Sequence, residues 1–99
     1  MSGTAQSSGL KAAGTYQIFT GRGVISGVHA ISDGTNVATV VVYDNASGDT
    51  SGNIIAKVNG SVNTGSNGVI LTTPVRCDIG CTLVVSGTGS PQGLVHFGA

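Results

Sequence analysis

Two cysteines four positions apart, two isolated histidines and one loop rich in oxygen donors are the side chains here whose types could do chemistry. Cys77-Asp78-Ile79-Gly80-Cys81 is a CxxxC. A zinc site needs a second ligand pair, and the sequence supplies none. A thioredoxin-type redox motif has two residues between its cysteines, not three. The flanks, Pro74-Val75-Arg76 and Thr82-Leu83-Val84-Val85, read as strand, three-residue turn containing Gly80, and strand. Facing each other across such a hairpin, the sulfurs would lie close enough for a disulfide. Cys77 and Cys81 are read as two reduced, half-buried thiols, or as a disulfide formed on exposure to air.

His29 and His96 are the only histidines, and each stands alone in a β-branched run. Each reads as a strand histidine facing solvent or a neighbour; a metal site made of both requires the fold to bring them together. Asp44-Asn45-Ala46-Ser47-Gly48-Asp49 gathers oxygen donors. It lacks the EF-hand register and the terminal bidentate glutamate, so it reads as a hairpin loop with Asx-type capping. Serine and threonine are plentiful, yet no Gly-x-Ser-x-Gly turn leads into a helix and the chain contains no glutamate to act as a general acid. The glycine-rich segments do not open helices, so no phosphate cradle is implied. The chain is expected to be a non-enzyme, with no catalytic residue, no metal ligand and no cofactor.

The elements that must position these groups are strands. From Thr15 onward the β-branched runs are Tyr16–Phe19, Val24–Ile31, Val37–Tyr43, Asn53–Val58, Gly68–Thr72, Val75–Cys77, Thr82–Val85 and Leu94–Phe97. Between them lie Asp-Gly, Asn-Gly, Ser-Gly and Gly-x-Gly turns, which tolerate positive φ. Seventeen glycines would cripple helices, at about 1 kcal/mol each in a helix interior. The expected fold is all-β: one small β-sandwich or jelly-roll-like domain of about eight short antiparallel strands over residues 15–99. Residues 1–14 are small and polar, and are expected to form a flexible N-terminal arm, frayed when alone or laid on a neighbour.

Charge then limits the partners. Lys11, Arg22, Lys57 and Arg76 face Asp33, Asp44, Asp49 and Asp78, for a net charge of zero. Charged residues are 8% of the chain, against roughly a quarter in ordinary soluble domains. A surface built from Ser, Thr, Asn, Gln and backbone loses little on leaving water, because no full charge must be stripped. Near-neutrality also removes colloidal repulsion and the electrostatic footprint of a nucleic-acid binder. No apolar run of membrane-spanning length occurs, and the first residues lack the pattern of a secretory leader. Self-association is expected, as a homotrimer, with neither nucleic acid nor membrane as partner. Val40-Val41-Val42 is apolar on both strand faces, which fits a central strand or an outer face covered by a neighbour. The candidate interface residues are Leu10, Val40, Val42 and Tyr43.

Two stretches, GVISGVHAISDGTNVATVVVYDNASGDTSGNII and GVILTTPVRCDIGCTLVVSGTGSPQGLVHFG, resemble the small all-β virion structural proteins of tailed bacteriophages, especially marine and cyanobacterial phages. The resemblance runs from Gly23 to Phe97. It implies a jelly-roll-like sandwich that decorates or cements an icosahedral head, often as a trimer, with the major capsid protein as partner and the virion, assembled in the host cytoplasm, as location. A tail, fibre, baseplate or adaptor component is the alternative within that group. Outside it stands a carbohydrate-binding module, which would stack sugars on exposed aromatics, here drawn from Tyr16, Phe19, Tyr43 and Phe97.

Overall fold

Period-two alternation turns these runs into sheets with one face inward. A computed structural model describes residues 6–48, 50, 52–60 and 66–98. Its strands are β1 (Gln6–Ser7), β2 (Lys11–Ala12), β3 (Gly14–Thr20), β4 (Gly23–Ile31), β5 (Ala38–Asp44), β6 (Asn53–Gly60), β7 (Ser66–Cys77), β8 (Gly80–Gly87) and β9 (Gln92–Gly98). No helix occurs among the described residues, so none is long and apolar enough to cross a membrane.

β1 and β2 are one interrupted strand. Gly9, at φ 77°, sits between them and shifts the antiparallel register on β9 from Ser7↔His96 to Lys11↔Gly93. Counted as one, they pair with β9, while β3 pairs with β8, β4 with β7 and β5 with β6, all antiparallel. First strand thus meets last, second meets last but one, down to the β5–β6 hairpin at the tip. This long ribbon rolls into two sheets, β1/β2-β9-β4-β7 and β3-β8-β5-β6, which is jelly-roll connectivity.

The core lies between the sheets. β4 contributes Ile25, Val28 and Ala30; β5 contributes Ala38, Val40 and Val42; β8 contributes Cys81, Leu83 and Val85; Val58, Cys77 and Val95 complete it. Each Val, Leu or Ile so buried is worth about 1.5–3 kcal/mol. The runs expected separately at Gly68–Thr72 and Val75–Cys77 join as β7. Its ladder with β4 steps from Ile25↔Val75 to Gly27↔Ile70, so residues 71–74 bow out opposite Ser26. Pro74 is tolerated because β7 is an edge strand, where a missing N–H breaks no inner ladder.

The expected arm over residues 1–14 is corrected where it is described. Residues 6–12 run along β9 of their own chain, and Gly14 already belongs to β3. Backbone pairing holds them, not apolar burial: Ser8 N–H donates to Val95 O at 2.9 Å, and Val95 N–H donates to Ser8 Oγ at 3.0 Å. The Tyr16 hydroxyl donates to Ala12 O at 2.7 Å, and Lys11 Nζ lies 5.4 Å from the Tyr16 ring centre. These contacts close one side of the sandwich. Residues 1–5 of the expected arm lie outside the described residues.

Candidate functional site

The CxxxC does not form the expected hairpin within one sheet. Cys77 ends β7 and pairs with Gly23 in one sheet, whereas Cys81 pairs with Phe19 in the other. The three residues between them are a corner from sheet to sheet, and the two sulfurs meet inside the sandwich. Both cysteines are free and buried. Their thiols hydrogen-bond each other; that bond and burial push the Cys81 thiol up, while the same bond draws the Cys77 thiol down.

Asp44, at the end of β5, holds this corner. Its carboxylate accepts N–H groups from Asp78 at 3.1 Å, Ile79 at 2.8 Å and Gly80 at 3.2 Å. Burial pushes its carboxyl up, but the three N–H donors outweigh burial and hold it below the ordinary carboxylate range. Gly80 is required here, because a Cβ would lie 2.6 Å from Asn45 O and 2.8 Å from Phe19 O. Asn45 Oδ1 accepts from Ser47 N–H at 2.6 Å and Gly48 N–H at 3.0 Å, the Asx capping expected of the loop. Gln17 Nε2 donates to Asn45 O and Cys81 O, tying β3 to the same corner. Asp49, the last donor of the expected cluster, lies outside the described residues. Among the described residues no three His, Cys or Asp side chains gather as metal ligands.

Asp33 does the equivalent work at the opposite end. Backbone N–H groups from Ser90, Thr35 and Asn36, joined by the Asn36 amide, hold its exposed carboxyl well below the usual range. It ties the β4–β5 loop to the β8–β9 loop. Nothing within a few residues of Asp33 announces Ser90, so the sequence carried no signal of this tie beyond an Asp-Gly turn.

The candidate interface needs a change of parity. Val40 and Val42 are 0% exposed and belong to the core, because β5 lies between β8 and β6 with its even-numbered residues inward. Val41 and Tyr43 point outward instead. Val41 lies between Val84 of β8 and Lys57 of β6; Tyr43 lies between Thr82 and Ile54, which is 58% exposed. Thr15, Gln17, Thr39, Asn59 and Ser86 surround them. Lys57 is the only charge among the described outward residues of these four strands. Leu10, 55% exposed, is free to meet a partner from the other sheet.

The remaining groups divide between packing and surface. Phe19 and Phe97 stack on each other, with ring centres 5.5 Å apart, against the core. With Tyr16 committed to Ala12, Tyr43 alone of the four aromatics lies on an outer sheet face, too little for a sugar-stacking platform. Arg22, Gly23, Val24 and Arg76 line an open cleft of about 320 Å³, and Arg76 Nε is paired with Asp78 at 2.8 Å. His29 and His96, far apart in the chain, come together with ring centres 5.2 Å apart. No protein-family model matches this chain, and no curated protein or solved structure is detectably similar to it.

Proposed function

We propose that this chain is a non-enzymatic structural protein of a bacteriophage particle: a head decoration or cement protein that associates with itself, as a homotrimer, and with the major capsid protein. The observation that carries the reading is the outer face of β3-β8-β5-β6, where Val41, Val84, Tyr43 and Ile54 lie together beside a single charge. Covering this face strips almost no ionic hydration and removes apolar surface from water. A standard interface takes about 800 Å² from each partner, a modest share of the 5170 Å² this chain exposes. Contacts of that size, repeated over a shell and made simultaneously, stiffen it by avidity. The side chains best suited to chemistry, Asp44, Asn45, Cys77 and Cys81, are occupied in holding the fold, which supports a structural role.

The test is reconstitution. Particles lacking the protein are mixed with purified chain, and occupancy is read by cryo-electron microscopy. Wild type is expected on the head lattice at high copy, and Val41→Lys, with an unaltered circular dichroism spectrum, is expected to lose at least tenfold in occupancy. Absence from the head at saturating protein, or equal occupancy by Val41→Lys, would overturn the reading. Sedimentation of the free chain at tens of micromolar reports the trimer.

A further inference from the structure

We propose that His29 and His96 form a two-imidazole binding site for a borderline divalent transition ion, with Zn²⁺ as the cognate ion, on the outer face of the β1/β2-β9-β4-β7 sheet. β4 and β9 are adjacent and antiparallel; His29 pairs with Leu94, and His96 pairs with Gly27. The two imidazoles are therefore diagonal neighbours on one face, within reach of each other.

Their surroundings leave room above the sheet. His96 is flanked by Ser7 on β1 and Gly27 on β4; His29 is flanked by Leu94 on β9 and Gly68 on β7. Three of those four positions are glycine or serine, so the rings can turn toward each other and an ion can approach. Both histidines are half-buried, which orders the rings without sealing them from solvent.

The spacing suits chelation. A tetrahedral ion about 2.0–2.1 Å from one nitrogen of each imidazole lies about 3 Å from each ring centre, which places the centres about 5 Å apart. The observed separation is 5.2 Å, with the ring planes inclined by 54°. Imidazole favours Zn²⁺, Cu²⁺ and Ni²⁺, whereas Ca²⁺ and Mg²⁺ require oxygen ligands. No third His, Cys or Asp joins the pair among the described residues, so water completes the coordination. The site is thus one that loads and unloads, not one that the fold depends on.

The experiment uses the full chain without a polyhistidine tag. Zn²⁺ is titrated while calorimetry gives stoichiometry and NMR follows the ring C–H resonances of both histidines. One ion per chain is expected, with both sets of ring resonances shifting together and Mg²⁺ without effect. His29→Gln and His96→Gln are each expected to weaken binding at least tenfold, since either leaves a single ligand. The buried thiols are the competing ligands, so the Cys77→Ser, Cys81→Ser chain must bind as wild type does. Unmoved ring resonances at millimolar Zn²⁺ would overturn the proposal without reference to any variant. So would binding that survives both histidine substitutions, or that disappears with the cysteines.

Discussion

Replacing Asp44 by asparagine separates a carboxylate that holds the sheet-to-sheet corner from one that merely occupies it. In the folded chain Oδ1 accepts from Ile79 and Gly80, and Oδ2 accepts from Asp78. An amide can keep its oxygen on Ile79 and Gly80, but its NH2 then faces the Asp78 N–H, donor against donor. The Asp78 N–H, at an exposed position, can turn to water; that of Gly80, which is buried, cannot. Hydrogen bonds to charged groups are worth about 1.5–3 kcal/mol each and neutral ones roughly half that. One bond lost and two weakened come to about 3 kcal/mol, a large share of the about 5–15 kcal/mol that stabilises a domain. Urea denaturation should show a lower midpoint at unchanged m, and Tm should fall by about 12–24 °C. The pH dependence has a definite sign. The folded carboxyl is held below its ordinary value, so the unfolded chain binds the extra proton. The stabilisation is complete above the unfolded aspartate value of about 3.9 and is lost as pH falls through the lower folded value. The gap between wild type and Asp44→Asn should therefore narrow in acid. A variant within about 0.5 kcal/mol of wild type, or a gap that stays constant down to about pH 2, would refute the argument.

Three further outcomes are expected. A methyl group at Gly80 would meet two backbone carbonyls, that of Phe19 in β3 and that of Asn45 just after β5, so Gly80→Ala should lose about 2–3 kcal/mol in urea denaturation; an unchanged midpoint would contradict the close approach. Both thiols are sealed in the core, so a thiol reagent should label neither until urea is added, and rapid labelling of the native chain would place the pair at the surface. Removing residues 2–12 strips β9 of its outer partner and Tyr16 of its acceptor. The remainder should fold less stably, by about 1–3 kcal/mol of lost hydrogen bonding, and with a lower Tm; an unchanged Tm would mean that β1 and β2 add nothing.

The strands were legible because β-branched runs and glycine turns are local signals. Their partners were not, since Ser7 opposite His96 leaves no trace near either residue. Three residues suffice either for a hairpin or for the sheet-to-sheet corner at 77–81; what decides is Asp44, over thirty residues earlier, binding its amides. Three consecutive valines at 40–42 carry no parity, so the local sequence does not distinguish the inward pair Val40 and Val42 from outward Val41. A shortage of apolar residues before Gly14 says nothing of backbone pairing such as that of Ser8 with Val95. The histidine pair was invisible for the same reason as the ladders: β4 and β9 become neighbours only after the ribbon rolls.

During translation the rolled ribbon imposes an order of events. β5 and β6 can zip as soon as both leave the ribosome, but β4 must wait for β7, and β3 for β8, with their apolar faces uncovered meanwhile. Such non-local pairing is intrinsically slow and leaves nascent chains open to aggregation. β9 emerges after all the others, yet it is an inner strand, wedged between β1/β2 and β4. A ribosome that stops before residues 92–98 therefore releases a chain with a slot through one sheet: β4 bare along one side, and β1 and β2 with nothing to hold them. Residues 92–98 act as a keystone, and quality control at the ribosome can distinguish chains that carry β9 from chains that lack it by that slot alone.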